Sequence, residues 1–333
     1  MSYTKFREGY LPEDTWGVSK VDDADDIMYL FGVLNQESHP PSRRRPLYDI
    51  GTDYDSRELD AISDMWKGFS DFKGTYGFRA QNGLLAWAGL GSTSTVDDSP
   101  SVGYYTHTIT PAMTLPSYTL QYERTGTGTA WATQYVGCKA DSITLYWDAQ
   151  EIPYLFYRVD WFAKESERMA FTLNNSPELP PTANKNSFKQ LQRTYDSVNL
   201  PGLRRVEIII ENGLFSEFAH TWSDLDEYVG GIESIIESPE VKYTVNLTYN
   251  PDTIEYKFWD EYAADDNDST AIFKFIRDAT YDYLKVTCLG CQVIDNPIAI
   301  PDPKTRSILD VVTFHPAKMS IEVVDQIAGG YYT

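Results

Sequence analysis

The sequence predicts a mainly β protein with a few short helices, and three observations lead to this prediction. First, apolar residues make up 42% and aromatic residues 14% of the 333 residues, a composition that can bury a core and is too apolar for a disordered chain. Second, apolar and polar residues alternate with a period of two in many segments, as in strands with one buried face. Third, clusters of Gly, Asn and Pro separate these segments, as expected of turns. The length fits about two domains or one large β domain.

Composition divides the chain into four predicted parts. They are an N-terminal arm and linker (1–48), a first β half (49–173), a looser connection rich in Asn and Pro (174–203) and a second β half with a C-terminal extension (204–333). The arm combines an acidic cluster with a linker rich in Pro and Arg, and it has few apolar residues. Because Pro restricts the backbone to extended conformations, we expect this arm to be extended, to bury little surface by itself and to need a partner surface.

Within the first half, alternation from 72 to 80 predicts a half-buried strand. The apolar run 84–88 predicts a short helix that Gly89 and Gly91 end. The run 89–95 is rich in Gly, Ser and Thr but lacks the lysine of a phosphate-binding loop, so we interpret it as a turn. Alternation and β-branched content predict further strands and the hairpin tips between them: strands at 117–123, 142–147 and 153–162, and tips at 126–128 and 148–150.

The second half continues in the same style, with a short internal repeat. The predicted elements are strands at 206–211, 243–249, 271–277, 281–286 and 319–324 and a helix over 250–262 that Asn250-Pro251-Asp252 begins. In the repeat, Val136-Gly137-Cys138-Lys139-Ala140 and Leu289-Gly290-Cys291-Gln292-Val293 each place Gly-Cys within strand-like sequence. We interpret this match as a sign of two similar β halves.

The formal net charge is −21, from 28 Lys and Arg against 49 Asp and Glu. Tight general binding to nucleic acid needs a basic surface, so this charge argues against it. Three origins of the acidity stay open: simple solubility, adaptation to high salt, or a surface that repels a polyanion. No apolar run approaches the roughly 20 residues of a membrane-spanning helix. The N-terminus lacks the apolar core of a secretory signal, so we expect use without Sec export and three reduced cysteines.

No catalytic constellation is recognisable, and we predict neither an enzyme nor a bound cofactor or metal. The four histidines are scattered along the chain. Zinc at Cys288 and Cys291 would need two more soft ligands, and a redox Cys-x-x-Cys would open a helix. We therefore interpret this pair as two small residues in a β turn. The acidic runs 22–26 and 265–268 lack the spacing of a calcium loop, so we interpret them as solvated or anion-repelling surface.

Three consecutive segments carry a more distinctive succession of residues. They are Tyr105-Thr106-His107-Thr108-Ile109-Thr110-Pro111-Ala112, Leu115-Pro116-Ser117-Tyr118-Thr119-Leu120-Gln121-Tyr122-Glu123, and Tyr135-Val136-Gly137-Cys138-Lys139-Ala140-Asp141-Ser142-Ile143-Thr144-Leu145. This H-x-x-x-P, P-S-x-T-L and G-C-K-x-x-S order resembles the major tail tube proteins of long-tailed, siphovirus-like bacterial or archaeal viruses. The resemblance covers roughly residues 46–330 in order, and the block 103–162 is its specific part. The acidic, Arg-bearing arm and the sequence around 165–240 depart from the family.

This resemblance implies a β-sandwich or barrel with two similar halves, assembled as a hexameric ring with a continuous inner β-barrel. Stacked rings would form the hollow virion tail tube, assembled in the host cytoplasm, through which double-stranded DNA passes without specific binding. The implied partners are further copies of the chain and the tape-measure, tail-terminator and baseplate or tail-tip proteins, with no membrane. An acidic lumen would repel phosphate within a Debye length of about 8 Å, whereas a lumen lined with Lys and Arg would contradict this mechanism.

We expect the arm around 22–34, the arginine run and the C-terminal segment 327–333 to form contacts between subunits. Arginines in so acidic a protein suit the carboxylates of a neighbouring subunit. The predicted interface residues are Asp22, Asp23, Asp25, Asp26, Arg43, Arg44, Arg45, Tyr331 and Tyr332.

Two other functions stay open. The chain could be a β-rich virion adhesin or carbohydrate-binding module, in which Tyr and Trp stack on sugars, or an enzyme on a β scaffold. Self-assembly distinguishes the tube subunit from both, and retention on glycans would favour the adhesin.

Overall fold

The structure is a computed structural model, and the mainly β class is confirmed. It describes residues 5–18, 28–30, 39–44, 47–49, 65–67, 71–125, 131–150, 152–169, 177–178, 188–222, 228–237, 240–249, 258, 262, 268–278, 281–295 and 310–327. Elements up to β11 are β1 (Lys5–Pro12), β2 (Met28–Leu30), β3 (His39–Arg44), β4 (Leu47–Asp49), β5 (Met65–Lys67), β6 (Asp71–Arg79), α1 (Leu84–Leu90), β7 (Gly91–Asp97), β8 (Tyr105–Pro111), β9 (Tyr118–Thr125), β10 (Trp131–Asp148) and β11 (Ile152–Ala163). The later strands are β12 (Glu165–Met169), β13 (Pro177–Glu178), β14 (Gln190–Tyr195), β15 (Val198–Asn199), β16 (Leu203–Glu211), β17 (Phe215–Trp222), β18 (Tyr228–Ile236), β19 (Lys242–Tyr249), β20 (Ser269–Asp278), β21 (Asp282–Asp295) and β22 (Asp310–Asp325).

The large sheet is antiparallel and runs in the order β3–β6–β11–β10–β16–β19–β22–β21–β20–β14–β15. The C-terminal part of β22 also pairs with β8, which carries β7 at the edge. One backbone hydrogen bond of 2.7 Å, from the Leu155 amide in β11 to the Phe188 carbonyl just before β14, links two distant strands of this order. The N-terminal part of β10 belongs to a smaller sheet with β9, β1, β2 and β12, to which β13 adds in parallel.

One core lies beneath the large sheet, because alternate residues of its strands point inward. In β16, Val206, Ile208 and Ile210 are fully buried, and Ile208 sits between Leu145 of β10 and Val245 of β19 in the register. Each such side chain contributes about 1.5–3 kcal/mol by leaving water. The strands predicted from period-two patterns are therefore confirmed, and they share this core.

Two predictions around α1 are wrong in detail. The helix continues through Gly89 and ends at Leu90. Gly91 is its left-handed C-cap, with a φ of 96° and an amide that donates a hydrogen bond to the Trp87 carbonyl. The run after it is strand β7 rather than a turn, since its Ser and Thr residues pair in register with β8.

The predicted connection over 174–203 also needs correction. It contains β14, which pairs with β20 along its whole length, and β15. The predicted helix over 250–262 falls mostly outside the described residues, although Phe258 and Tyr262 are both helical. Around the tip predicted at 126–128, β9 and β10 do pair as a hairpin, while the tip itself lies outside the described residues. The division into four parts stays a prediction.

Candidate assembly site at a strand bulge and an unpaired hairpin

The two Gly-Cys segments of the sequence repeat have the same local structure. Gly137 in β10 and Gly290 in β21 adopt left-handed φ values of 69° and 63°, and a register shift accompanies each. The thiol of the following cysteine points back to the carbonyl three residues earlier, 3.5 Å from Cys138 to Tyr135 and 3.6 Å from Cys291 to Cys288. Each segment is thus a β-bulge with glycine in the position that disfavours a side chain.

Cys288 and Cys291 therefore lie inside strand β21, not in the predicted turn. All three cysteines are buried thiols that are not in disulfide bonds. Burial raises the pKa of the Cys138 thiol well above its usual value, and the nearby Glu13 adds to this effect. Burial likewise raises the pKa of Cys288, so both thiols are held in their unreactive neutral form.

Glycine is required at Gly137 for a second reason. A Cβ atom there would lie 2.8 Å from the Lys164 Cβ and 3.2 Å from the Gly17 Cα. The loop after β1, residues 13–18, hereafter the N-terminal loop, thus lies directly against the bulge of β10.

Glu13 attaches the N-terminal loop to the bulge. Its Oε1 accepts hydrogen bonds from the Gly137 amide at 2.8 Å and the Thr119 hydroxyl at 2.7 Å, and its Oε2 accepts one from the Gly17 amide at 2.9 Å. The carboxyl group is buried, and these donors replace the water that it loses. In the same part of the predicted arm, β1 pairs with β9 over all its residues and buries Tyr10, so a strand of the same chain provides the surface on which it packs.

The hairpin of β17 and β18, hereafter the hairpin, leaves the body at the residues that follow the bulge. On the entering side, the Leu214 amide donates to Asp141 Oδ1 at 2.8 Å and the Asn212 side-chain amide donates to the Ala140 carbonyl at 2.9 Å. Burial raises the pKa of Asp141, although the bond from Leu214 opposes the shift. The start of the hairpin is therefore tied to β10.

The returning side is held by an ion pair. Glu237, the residue after β18, accepts a hydrogen bond from Lys139 Nζ through Oε1 and another from the Leu115 amide at 2.8 Å through Oε2. The side chains of Lys139 and Glu237 are only 10% and 15% exposed, so water competes little with the pair. Both ends of the hairpin are thus fixed to residues 139–141.

A small apolar cluster separate from the main core fills the space between these contacts. It consists of Leu115, Phe162 and Leu214, with Trp16 packed against it. The Trp16 indole donates to the Gly137 carbonyl at 3.0 Å. Trp16 therefore places the N-terminal loop beside the base of the hairpin.

Beyond its base, the hairpin pairs with no other strand among the residues that the structure describes. Its eight paired positions run from Phe215 opposite Ile236 to Trp222 opposite Tyr228. With eight residues in β17, the ribbon is about 27 Å long at 3.4 Å per residue. Along both outer edges, alternate residues turn their amide and carbonyl groups away from the partner strand. Strand β7 is a second such edge, since in the described part of the chain it pairs with β8 alone.

Most of the interface residues predicted from the sequence cannot be placed. Asp22, Asp23, Asp25, Asp26, Arg45, Tyr331 and Tyr332 lie outside the described residues. Arg43 and Arg44 are in β3, opposite Phe72 and Asp71 of β6, and only their backbone is described.

The residues that form the candidate site, namely Glu13, Lys139 and Glu237, were not predicted from the sequence. A glycine inside a strand pattern is a known sign of a bulge, so Gly137 could have been found. The residues next to Glu13 and Glu237 in the sequence form no pattern that predicts a partner more than 90 positions away along the chain.

His107 is fully buried between β7 and the end of β22. Its Nδ1 lies 2.9 Å from the Thr95 hydroxyl, and its Nε2 lies 2.9 Å from the Ile327 carbonyl and 3.3 Å from Asp325 Oδ1. These residue types occur in hydrolytic triads, but a base must reach substrate, and here Nε2 contacts the backbone that follows β22. We interpret the group as an attachment of that backbone. The predicted lack of enzymatic activity stays a prediction.

No three His, Cys, Asp or Glu side chains within the described ranges are arranged to hold a metal ion. In the same part of the chain, no helix is long and apolar enough to cross a membrane. In comparisons with known proteins, no family model matches the sequence, and no curated protein is significantly similar to it.

Proposed function

We propose that this chain is a structural subunit of a viral tail tube. Copies would close into hexameric rings, and stacked rings would form a hollow tube through which double-stranded DNA leaves the virion. The partners would be further copies and the tape-measure, tail-terminator and baseplate or tail-tip proteins.

The observation that carries this proposal is the hairpin, whose two outer edges pair with no strand in the described part of the chain. Long exposed edges invite pairing with other chains, and natural proteins normally protect them with Lys, Pro, bulges or short strands. Here the base of the hairpin is tied to β10 by buried groups, so the hairpin projects in a defined direction. A projecting ribbon with free backbone groups suits a subunit that completes its hydrogen bonds on a neighbour.

The residues that carry the family resemblance add support. The G-C-K-x-x-S run is the bulge of β10 and the attachment of the hairpin, where Gly137 binds Glu13, Lys139 binds Glu237 and Asp141 binds Leu214. The P-S-x-T-L run supplies Thr119, a further donor to Glu13. The resembling motifs thus coincide with the site that we connect with assembly.

Charge supports a passive passage for DNA. The formal net charge is −21, and the run 22–26 contains four Asp residues. Acidic segments at the wall would repel phosphate over about 8 Å.

Electron microscopy of a hairpin variant tests the proposal. Residues 216–235 would be replaced by a short Gly-Ser turn, which keeps Leu214 and Glu237 in place. In negative stain at low and high salt, we expect the wild type to form rings or tubes of uniform bore and the variant to stay monomeric with a similar melting temperature. A variant that assembles like the wild type, or a wild type that stays monomeric in both salts, contradicts the proposal.

The carbohydrate-binding alternative has one observation in its favour. Tyr104 and Tyr281 pair with ring centroids 5.8 Å apart, and Tyr281 is exposed. Retention on a glycan array that is lost in Tyr281→Ala would favour this alternative. The largest fully buried side chains are mostly Tyr and Phe, which indicates that many of the aromatics serve the core instead.

A further inference from the structure

The bulge of β10 lies between two segments that are far apart in sequence. On one side, the Gly137 amide and carbonyl bind Glu13 and Trp16 of the N-terminal loop. On the other side, Lys139 binds Glu237 at the end of the hairpin. Only Cys138 separates the two attachment points.

Lys139 and the small apolar cluster each connect the two segments. Lys139 Nζ, which holds Glu237, lies 5.9 Å from the centre of the Trp16 ring, within reach of a cation–π contact. Trp16 packs against the cluster that contains Leu214, the residue before the hairpin. A movement of the hairpin base that displaces Lys139 or Leu214 therefore removes contacts of the N-terminal loop.

We propose that Lys139 is a positioning residue that couples the N-terminal loop to the hairpin, so that the two segments become ordered or loosened together. The coupling runs through the buried Glu13, the partly buried Trp16 and the ion pair of Lys139 and Glu237. Loss of any of these contacts leaves an unsatisfied polar group or a cavity. The inference holds for the isolated chain, and only its consequence for ring assembly rests on the proposed function.

Hydrogen exchange, followed by mass spectrometry with fragmentation to single amides, tests the coupling in the assembly state that the chain adopts. Glu237→Gln alters the hairpin side, and the amides to follow are Gly17 and Gly137, which Glu237 does not touch. Glu13→Gln alters the loop side, and the amides to follow are Leu115 and Leu214, which Glu13 does not touch. We expect exchange to become at least about fivefold faster in both experiments, and by similar factors, because coupling between two sites is reciprocal.

Controls separate coupling from general loss of stability. Lys285→Met breaks the half-exposed pair with Glu322 in β21 and β22, and it should leave all four amides unchanged. If Glu13→Gln does not fold, Trp16→Phe replaces it, since it removes the indole N–H bond to Gly137. Exchange that rises only beside the altered residue overturns the inference, as does a rise that extends equally to β21 and β22. Either result leaves the assembly experiment unaffected.

Discussion

The bulges of β10 and β21 have the same left-handed glycine conformation and the same contact from a cysteine thiol to a carbonyl, but their surroundings differ. At the first, the carboxylate of Glu13 binds the amide of the bulge glycine itself. At the second, Asp196 in the turn after β14 binds the opposite strand, accepting from the Thr270 amide at 2.7 Å and the Ser269 hydroxyl at 3.0 Å. The same short sequence therefore produces the same local conformation, while its neighbours decide whether the bulge also attaches other segments.

The largest expected difference concerns the two glycines. Gly137→Ala combines a left-handed backbone with a Cβ that meets Lys164 and Gly17, so we expect a loss of about 3 kcal/mol or more in the free energy of unfolding. For Gly290→Ala, the left-handed backbone accounts for a loss of about 1–2 kcal/mol. Urea denaturation measures both values. Equal losses would show that Lys164 and Gly17 move away from the added Cβ at no further cost in stability.

The next largest difference in stability should be between variants of the two carboxylates, Glu13 and Asp196. Glu13→Ala leaves two amides and a hydroxyl without their acceptor in a buried site, and we expect a loss of about 3 kcal/mol. Asp196→Ala removes two hydrogen bonds at a half-buried turn, which corresponds to about 1–2 kcal/mol. Thermal and urea unfolding of both variants provide the comparison, and a larger loss for Asp196→Ala would refute our account of the first bulge.

The two cysteines should behave alike. Cys138→Ala and Cys291→Ala each remove a buried sulfur with the same contact to a carbonyl, so we expect losses of about 1–2 kcal/mol that agree within about 0.5 kcal/mol. The measurement is again urea denaturation. Losses that differ by more than about 1 kcal/mol would mean that the two sulfur atoms are packed differently although their contacts to the carbonyl are alike.

The last expected effect is a loss of stability at high pH. Burial raises the pKa of Cys138 and Cys288, and it raises the pKa of Tyr135 and of Tyr243 to about 12. In the unfolded chain the cysteines ionise at about pH 8.5 and the tyrosines at about pH 10, so the stability that each group contributes is complete below its unfolded pKa and is lost as pH rises toward its folded pKa. Each group can remove up to about 1.4 kcal/mol per pH unit. Unfolding free energies that stay constant from pH 8 to 11 would contradict this expectation.

The strands of the large sheet were predictable because their signal is local. In β16 and β19, buried Val, Ile and Leu alternate with half-buried polar residues, and period two identifies such strands without any partner. The strand β7 was not predictable in this way, since its Ser and Thr residues resemble a turn and only pairing with β8 makes them a strand. The strand β14 was not predicted for a similar reason, because the segment before it in the chain is rich in Pro and Asn.

The sequence by itself determined the β class, the inward faces of most strands and the recurrence of Gly-Cys, because these depend on residue type and spacing over a few positions. The tertiary structure alone decided that Glu13, Lys139 and Glu237 meet at one bulge, and that the hairpin begins and ends beside it. The physical reason is distance along the chain. Contacts between residues more than 90 positions apart are chosen by the packing of the whole sheet, and their hydrogen bonds leave no periodic pattern in the sequence.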